Sequence, residues 1–391
     1  MFKGYQVSGA KPAQGNMDYL LLLCVLALTA IGLIMVYSSS AFFAMEKAGN
    51  QFAYLKKQFL FVVVGIVAML IMSKVPYRFW HRTIGFWLGL CAVLLLLVLV
   101  PFLGHKELGA RRWFSIGGFF LQPTELAKPV LVAYTAYILA RVKDPSVSWL
   151  RTVAKPLIPA VLMLGLIYLE PDFGTLVIIT AIMVAMVFVS GLPLRYLAVV
   201  STVIAILAIP VVAFSDYRMK RVEGYLDQLS FIGGVGDYGK LGYHVRENII
   251  SFGSGRLWGM DGLGGGVHKM FFLPQAHADS ILATVGQEGG FVLVSIVLLL
   301  YGLLLYRGFR IAWNSPDLFG GYLAFGLTFT VLMHVTINVG AVTGLLPPKG
   351  TILPFVSYGG SSLVAMFGAA GMLLQLSRHT VKKAGSTGKG A

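Results

Sequence analysis

Residues 19–37 read YLLLLCVLALTAIGLIMVY, a run without a single charge. A helix rises 1.5 Å per residue, and about 20 apolar residues cross the roughly 30 Å hydrocarbon core of a bilayer, so this stretch is sized for a membrane. It follows Lys3 and Lys11 but is too long for the apolar core of a secretory signal. It reads as a retained first helix with the N-terminus inside. Comparable runs recur at about 58–73, 84–103, 125–140, 155–169, 174–190, 194–214, 287–306, 319–341 and 355–376. The expectation is an all-α integral membrane protein of about ten transmembrane helices with both termini cytoplasmic. One polytopic membrane domain then fills residues 1–391, with a cytoplasmic N-terminus at 1–18 and a cytoplasmic tail at 378–391. A large structured extracytoplasmic loop, 215–286, joins helices 7 and 8.

Composition agrees: 57% of the 391 residues are hydrophobic and 12% charged, against roughly 25% charged in a soluble domain. The net charge of +15 is first a matter of topology. With the N-terminus inside, the inner segments hold 16 of the 31 Lys and Arg residues but only Asp18, Asp144 and Asp317 of the 16 carboxylates. That is the excess of cations expected of cytoplasmic loops. Cys24 and Cys91 fall in apolar runs and read as small hydrophobes, with no disulfide framework.

The outer side is nonetheless cationic, with Lys106, Arg111 and Arg112 in one short loop and seven more Lys and Arg in 215–286. Solvated loop charge and a surface for an anionic ligand both account for this. A connection of about 70 residues is long enough to be functional or disordered. Its aromatic content, and an amphipathic stretch near Tyr243–Phe252, favour a structured cap.

Four outer or boundary segments gather the polar residues: Gly109-Ala-Arg-Arg-Trp113, Gln122-Pro-Thr-Glu-Leu-Ala-Lys128, Glu170-Pro-Asp-Phe-Gly-Thr175 and Phe272-Leu-Pro-Gln-Ala-His-Ala-Asp279. Ionisable groups near membrane depth are costly and therefore functional candidates. Glu125 and Lys128, three apart, share a helix face and can pair, as a structural ion pair or as part of a site. Pro123 fits a first helical turn and Thr124 can cap it. Asp172 and Asp279 each precede an apolar run, where an aspartate commonly caps a helix; for Asp279 the alternative is a catalytic base, with His277 two residues away. The seven histidines show no metal-ligand spacing. There is no Walker-type phosphate loop, so an ATP-driven pump is not expected. The last outer loop, Gly344-Leu-Leu-Pro-Pro-Lys-Gly-Thr-Ile-Leu-Pro-Phe-Val-Ser-Tyr-Gly-Gly-Ser-Ser362, breaks helical pattern at membrane depth. Irregular backbone survives there only when buried in protein or lining a wet cavity.

These segments, in this order, resemble the SEDS family of bacterial cell-wall polymerases across nearly the whole chain. The strongest parts are Arg111-Arg-Trp113, Gln122-Pro-Thr-Glu125 with Lys128, Pro171-Asp-Phe-Gly-Thr175, Leu273-Pro274 to His277 and Asp279, and Leu346-Pro-Pro-Lys-Gly350 through Ser362. Tyr217-Arg-Met-Lys-Arg221 and Lys349 incline the resemblance to the division member over the elongation member. The resemblance implies a multi-pass peptidoglycan glycosyltransferase of the bacterial cytoplasmic membrane, inverting at the sugar C1 as it polymerises lipid II. Asp279 matches the family's essential outer-loop aspartate. An inverting transferase needs one base for the acceptor hydroxyl, and its pyrophosphate leaves as a stabilised anion, so one carboxylate plus cations suffices.

The implied substrate-binding set is Arg111, Arg112, Glu125, Lys128, Asp172, Arg218, Arg221, His277, Lys349, Ser357 and Ser361. A divalent cation, magnesium or manganese, is a candidate helper, with no nucleotide or organic cofactor; the metal site itself is not identified. Implied partners are lipid II, a class B penicillin-binding protein transpeptidase, and divisome or elongasome proteins, with no nucleic acid. The chain departs from the family pattern at Phe271, Gln275 and Ser280 and carries an extra Asp261. The competing readings are a lipid II flippase, which should show polar residues through the full membrane depth, and a non-catalytic division scaffold.

Overall fold

The computed structural model describes residues 15–107, 110–117, 119–142, 153–191, 202, 219, 223–229, 243–260, 277–347 and 350–379. Ten α-helices are described: α1 (Tyr19–Ala48), α2 (Ala53–Lys74), α3 (Tyr77–Leu99), α4 (Pro123–Ala140), α5 (Lys155–Leu169), α6 (Phe173–Val189), α7 (Tyr243–Ser254), α8 (Ile281–Trp313), α9 (Leu318–Val342) and α10 (Gly360–Ser377). Six of them, α1, α2, α3, α8, α9 and α10, are long and apolar enough to cross a membrane. Nine of the ten expected spans coincide with a described helix. The tenth, 194–214, lies almost wholly outside the described residues.

The all-α expectation needs one correction. Residues 104–121 form a three-stranded antiparallel sheet of β1 (Gly104–Glu107), β2 (Ala110–Ile116) and β3 (Phe119–Leu121). Lys106 pairs with Arg111, and Phe114 with both Gly104 and Leu121. The run Arg-Arg-Trp-Phe-Ser-Ile is rich in bulky residues that suit a pleated surface. Two boundaries also shift. The eighth span starts at Ile281, and the last helix starts at Gly360 because 354–359 is spent in turns, with Phe355 at φ 67°.

Polar caps and close packing explain the ends and crossings. Asp18 accepts the Leu21 N–H at 3.1 Å and starts α1, and Asp317 starts α9 through Gly320 at 2.7 Å. Gly371 lets α10 approach the backbone of α2 at Met69, and Gly32 lets α1 approach the Phe355–Val356 turn. Small residues at crossings are how helices pack where lipid removes the hydrophobic drive. The other face of α2 leaves Val63, Val64, Val67, Leu70 and Ile71 exposed, as a lipid-facing surface should be. At one end of the bundle the chain's first and last described segments meet: Gly15 N–H donates to Arg378 O at 2.7 Å, and Arg307 pairs with Asp18 at 2.7 Å.

Near the opposite end, α8 is broken at Gly290 (φ 64°, ψ −168°), a conformation costly for other residues. The turn after α7 fills the gap, Phe291 N–H donating to Arg256 O at 2.8 Å and Met260 N–H to Gln287 O at 2.8 Å. Thus α7, the expected amphipathic stretch, packs on α8 and α9.

Candidate active site

At the end of the bundle that carries the sheet, β2, β3, α2, α4, α6, α9 and the last loop enclose a cavity of about 520 Å³. Arg112, Glu125, Lys128, Asp172 and Ser361, all expected site residues, line it. Lys57, Tyr54, Trp113 and His334 line it too.

Glu125 and Lys128 stand one turn apart at the start of α4, where Pro123 occupies the first turn. Gln122, not Thr124, holds the N-cap position, and Thr124 is fully buried. Lys128 Nζ lies 2.8 Å from Glu125 Oε2 and 3.1 Å from His334 Nε2. Both members of the pair are buried. A buried pair is tolerable only when geometry is good and further hydrogen bonds satisfy the charges, which His334 provides by accepting from Lys128.

Asp172 caps α6 as expected: Oδ1 accepts the Thr175 N–H at 3.1 Å, and Oδ2 accepts from Gln122 Nε2 at 3.1 Å. Arg112 reaches across from β2 and donates to the Glu170 carbonyl at 2.9 Å and to the Pro171 carbonyl. It thereby clamps the sheet to the α5–α6 turn. The Glu170 side chain is fully buried, and both its oxygens lack a hydrogen-bond partner among the described residues. Burial, reinforced by the Asp172 charge and opposed by Arg112, pushes its carboxyl up to about 8.

The N-cap position of α8 falls one residue after Asp279: Ser280 occupies it, and Asp279 sits in the preceding turn. The Asp279 carboxylate faces Gly350, which lines the cavity: a β-carbon at position 350 would lie 2.6 Å from Oδ2. Asp279 itself is not among the residues that line the cavity; its carboxylate lies behind Gly350, which is.

Not every expected residue joins this group. Arg111 is half-buried in β2, and its side chain is not among those lining the cavity. The His277 ring packs among Tyr54 at 4.8 Å, Tyr358 at 5.5 Å and Phe43 at 6.1 Å between centroids. Burial, with Lys47 nearby, lowers its pKa to about 4, so it stays neutral. Ser357 donates to the Ala278 carbonyl at 2.8 Å rather than facing the cavity. Arg218, Arg221 and Lys349 lie outside the described residues, as do Asp261, Phe271 and Gln275. Sequence reasoning missed Lys57 and His334. Lys57 reads as one of two adjacent outer lysines, and His334 as a lone polar residue in an apolar run; no local pattern marks either.

Among the described residues no three His, Cys, Asp or Glu side chains gather as a metal would require. Of the two carboxylates on the wall, Glu125 is paired with Lys128 and Asp172 caps a helix. These residues do not fit a divalent ion held by the protein alone, and the charge balance of the cavity rests on Arg112, Lys57 and Lys128.

The model for the FtsW/RodA/SpoVE family of cell cycle proteins matches residues 18–382. The chain belongs to this family. A probable peptidoglycan glycosyltransferase FtsW of Trichlorobacter lovleyi is 36% identical over 378 residues, 96% of each chain. A solved chain from a study of how a peptidoglycan synthase complex coordinates polymerization and crosslinking has a TM-score of 0.73 at 28% identity, covering 93% of this chain and 98% of that one. The Thermus thermophilus rod shape determining protein RodA gives 0.68 at 27% identity, covering 94% and 98%. The motif resemblance is borne out, and the FtsW/RodA/SpoVE membership makes this a mostly helical, multi-pass membrane protein with a RodA-like fold.

Proposed function

We propose that this chain is a peptidoglycan glycosyltransferase that polymerises lipid II into glycan strands at the outer face of the bacterial cytoplasmic membrane. The observation that carries the reading is the cavity itself, in which Arg112, Lys57 and Lys128 line a chamber whose wall at Gly350 meets the Asp279 carboxylate. A pyrophosphate leaving group needs convergent cations in a site of low dielectric, where their attraction is strongest. Asp279 accepts the proton of the acceptor hydroxyl as that oxygen attacks the donor C1, and the pyrophosphate departs with its charge held by Arg112, Lys57 and Lys128. Glu125 and His334 orient the Lys128 ammonium, and Asp172 fixes the start of α6 beside it. Ser361, whose hydroxyl accepts the Gln122 N–H at 3.2 Å, joins the last loop to the same wall. Arg218, Arg221 and Lys349, which lie outside the described residues, are the further cations that the resemblance assigns to the donor.

Ten spans with both termini cytoplasmic remain the topology of choice. The bond between Gly15 and Arg378 favours two ends on one side, and the basic loops favour the inside. On that topology the connection 215–286 is extracytoplasmic, and within it residues 223–229 touch the last loop through Tyr225, which donates to Leu345 O at 2.9 Å. A class B penicillin-binding protein is the crosslinking partner, as the synthase complex of the solved relative suggests. Work in division is favoured by the FtsW relative and by the Tyr217–Arg221 motif.

A flippase would need polar groups through the full depth of the bundle, whereas the cavity and its ion pair lie at the sheet end. Purified chain with its transpeptidase, given labelled lipid II, should yield long glycan strands. Lipid II that crosses the bilayer without being polymerised would overturn the reading in favour of transport.

A further inference from the structure

Asp279 is held in place by residues outside its own helix. Its backbone carbonyl accepts a hydrogen bond from Asn338 Nδ2 at 3.1 Å, and the same nitrogen donates to the Thr351 carbonyl at 2.6 Å. Asn338 is 1% exposed on α9. Both neighbours are carbonyls, so the amide must turn its NH2 to them, which fixes its orientation. Its Oδ1 is left buried without a hydrogen-bond partner among the described residues, a cost that an apolar side chain of that size would avoid. Two further bonds join the same segments. Ser357 donates to Ala278 O at 2.8 Å, and Tyr358 N–H donates to His277 O at 2.9 Å. The turn 277–280 is therefore sewn to the loop 350–359, and the Asn338 side chain ties Asp279 to Thr351 directly.

The loop end of this tie forms the cavity wall. Gly350 and Thr351 both line the cavity, and the Asp279 carboxylate meets Gly350. Moving Thr351 relative to Asp279 changes the distance between the base and anything bound in the chamber.

We infer that Asn338 is a positioning residue for glycosyl transfer: it locks the Asp279 turn to the Gly350–Thr351 wall, and Gly350 keeps that wall open so the carboxylate reaches the acceptor. This rests on the glycosyltransferase reading above. Neither residue has a hydrogen bond to Lys57, Arg112 or Lys128, the described cations of the cavity, which stand on α2, β2 and α4. The signature is thus a fall in turnover with donor affinity preserved.

Asn338→Ala removes both hydrogen bonds. Gly350→Ala, at a position outside the left-handed region, puts a methyl 2.6 Å from Oδ2 and swings the carboxylate aside at little cost to the fold. Misplacing a reacting group by about 1 Å can cost roughly 100-fold. Each variant, purified with the transpeptidase and given labelled lipid II, should lose at least about tenfold in kcat with KM within about twofold of wild type. Melting temperature is measured alongside, and Gly350→Ala decides the matter where Asn338→Ala fails to fold. A kcat at the wild-type value in Gly350→Ala, or a rise in KM in place of a fall in kcat, overturns the inference while wild-type polymerisation keeps the enzyme reading intact. A wild-type chain that makes no glycan overturns the enzyme reading itself.

Discussion

Lys128 Nζ lies 2.8 Å from Glu125 Oε2, one turn earlier on α4, with both residues buried and Lys128 also bonded to His334. Removing one member strands the other, which costs about 3–5 kcal/mol, whereas replacing both by neutral groups of similar volume is often nearly neutral. Lys128→Met alone should therefore melt well below wild type in detergent. Glu125→Gln with Lys128→Met should recover most of the melting temperature but stay inactive on lipid II, because the cavity has lost a cation. Recovery of both stability and polymerisation would make the pair purely structural.

Arg112 and Arg111 are neighbours in sequence but only Arg112 lines the cavity. Charge-assisted hydrogen bonds are worth about 1.5–3 kcal/mol, roughly ten- to a hundredfold. At low lipid II, Arg112→Ala should lose activity on that scale, and Lys57→Ala by a similar order, while Arg111→Ala stays within about threefold of wild type, less than 1 kcal/mol. Initial rates of glycan formation decide this, and equal losses at 111 and 112 would contradict the cavity assignment.

Glu170 gives a pH-dependent stability. Its carboxyl, ordinarily near 4.5, is pushed up to about 8 by burial. The folded state therefore prefers the protonated form, so stability is fullest below about 4.5, declines as pH rises through this window and is lost above about 8. Glu170→Gln keeps the group neutral. It should raise the melting temperature by several degrees at pH 9 and change it little at pH 4. The same difference at both pH values would show that the carboxyl is not held neutral.

Topology is open to a direct check. A reporter active only outside the cytoplasmic membrane, fused near Gly236, should be active, and one fused near Asp144 should not, because the basic loops lie inside. The reverse pattern would invert every assignment to the outer face.

Helix positions were legible because an apolar run the length of a bilayer has few alternative uses, and nine of the ten runs are helices in the structure. The sheet at 104–121 was not, since its strands are three to seven residues long and its pairing is set by contact with α3 and α4. Glu125 with Lys128 and the Asp172 cap could be read from spacing alone, as local rules suffice for both. Asp279 could not: Ser280 holds the N-cap position that its place in the sequence suggested, and Asn338 and Gly350, which meet it, come from segments about 60 and 70 residues away. His334 was invisible for the same reason, since its meaning comes from Lys128 on another helix.

The central claim is that Asp279 is the base of a glycosyl transfer. Asp279→Asn keeps the size of the side chain and leaves the Ser280 helix start intact, but cannot accept the acceptor proton. The decisive measurement is the rate of glycan polymerisation from lipid II by the purified variant with its transpeptidase, at matched amounts of folded protein. The account predicts a fall of about 100-fold or more, with membrane insertion and partner binding unchanged. A rate near that of the wild-type chain would contradict it.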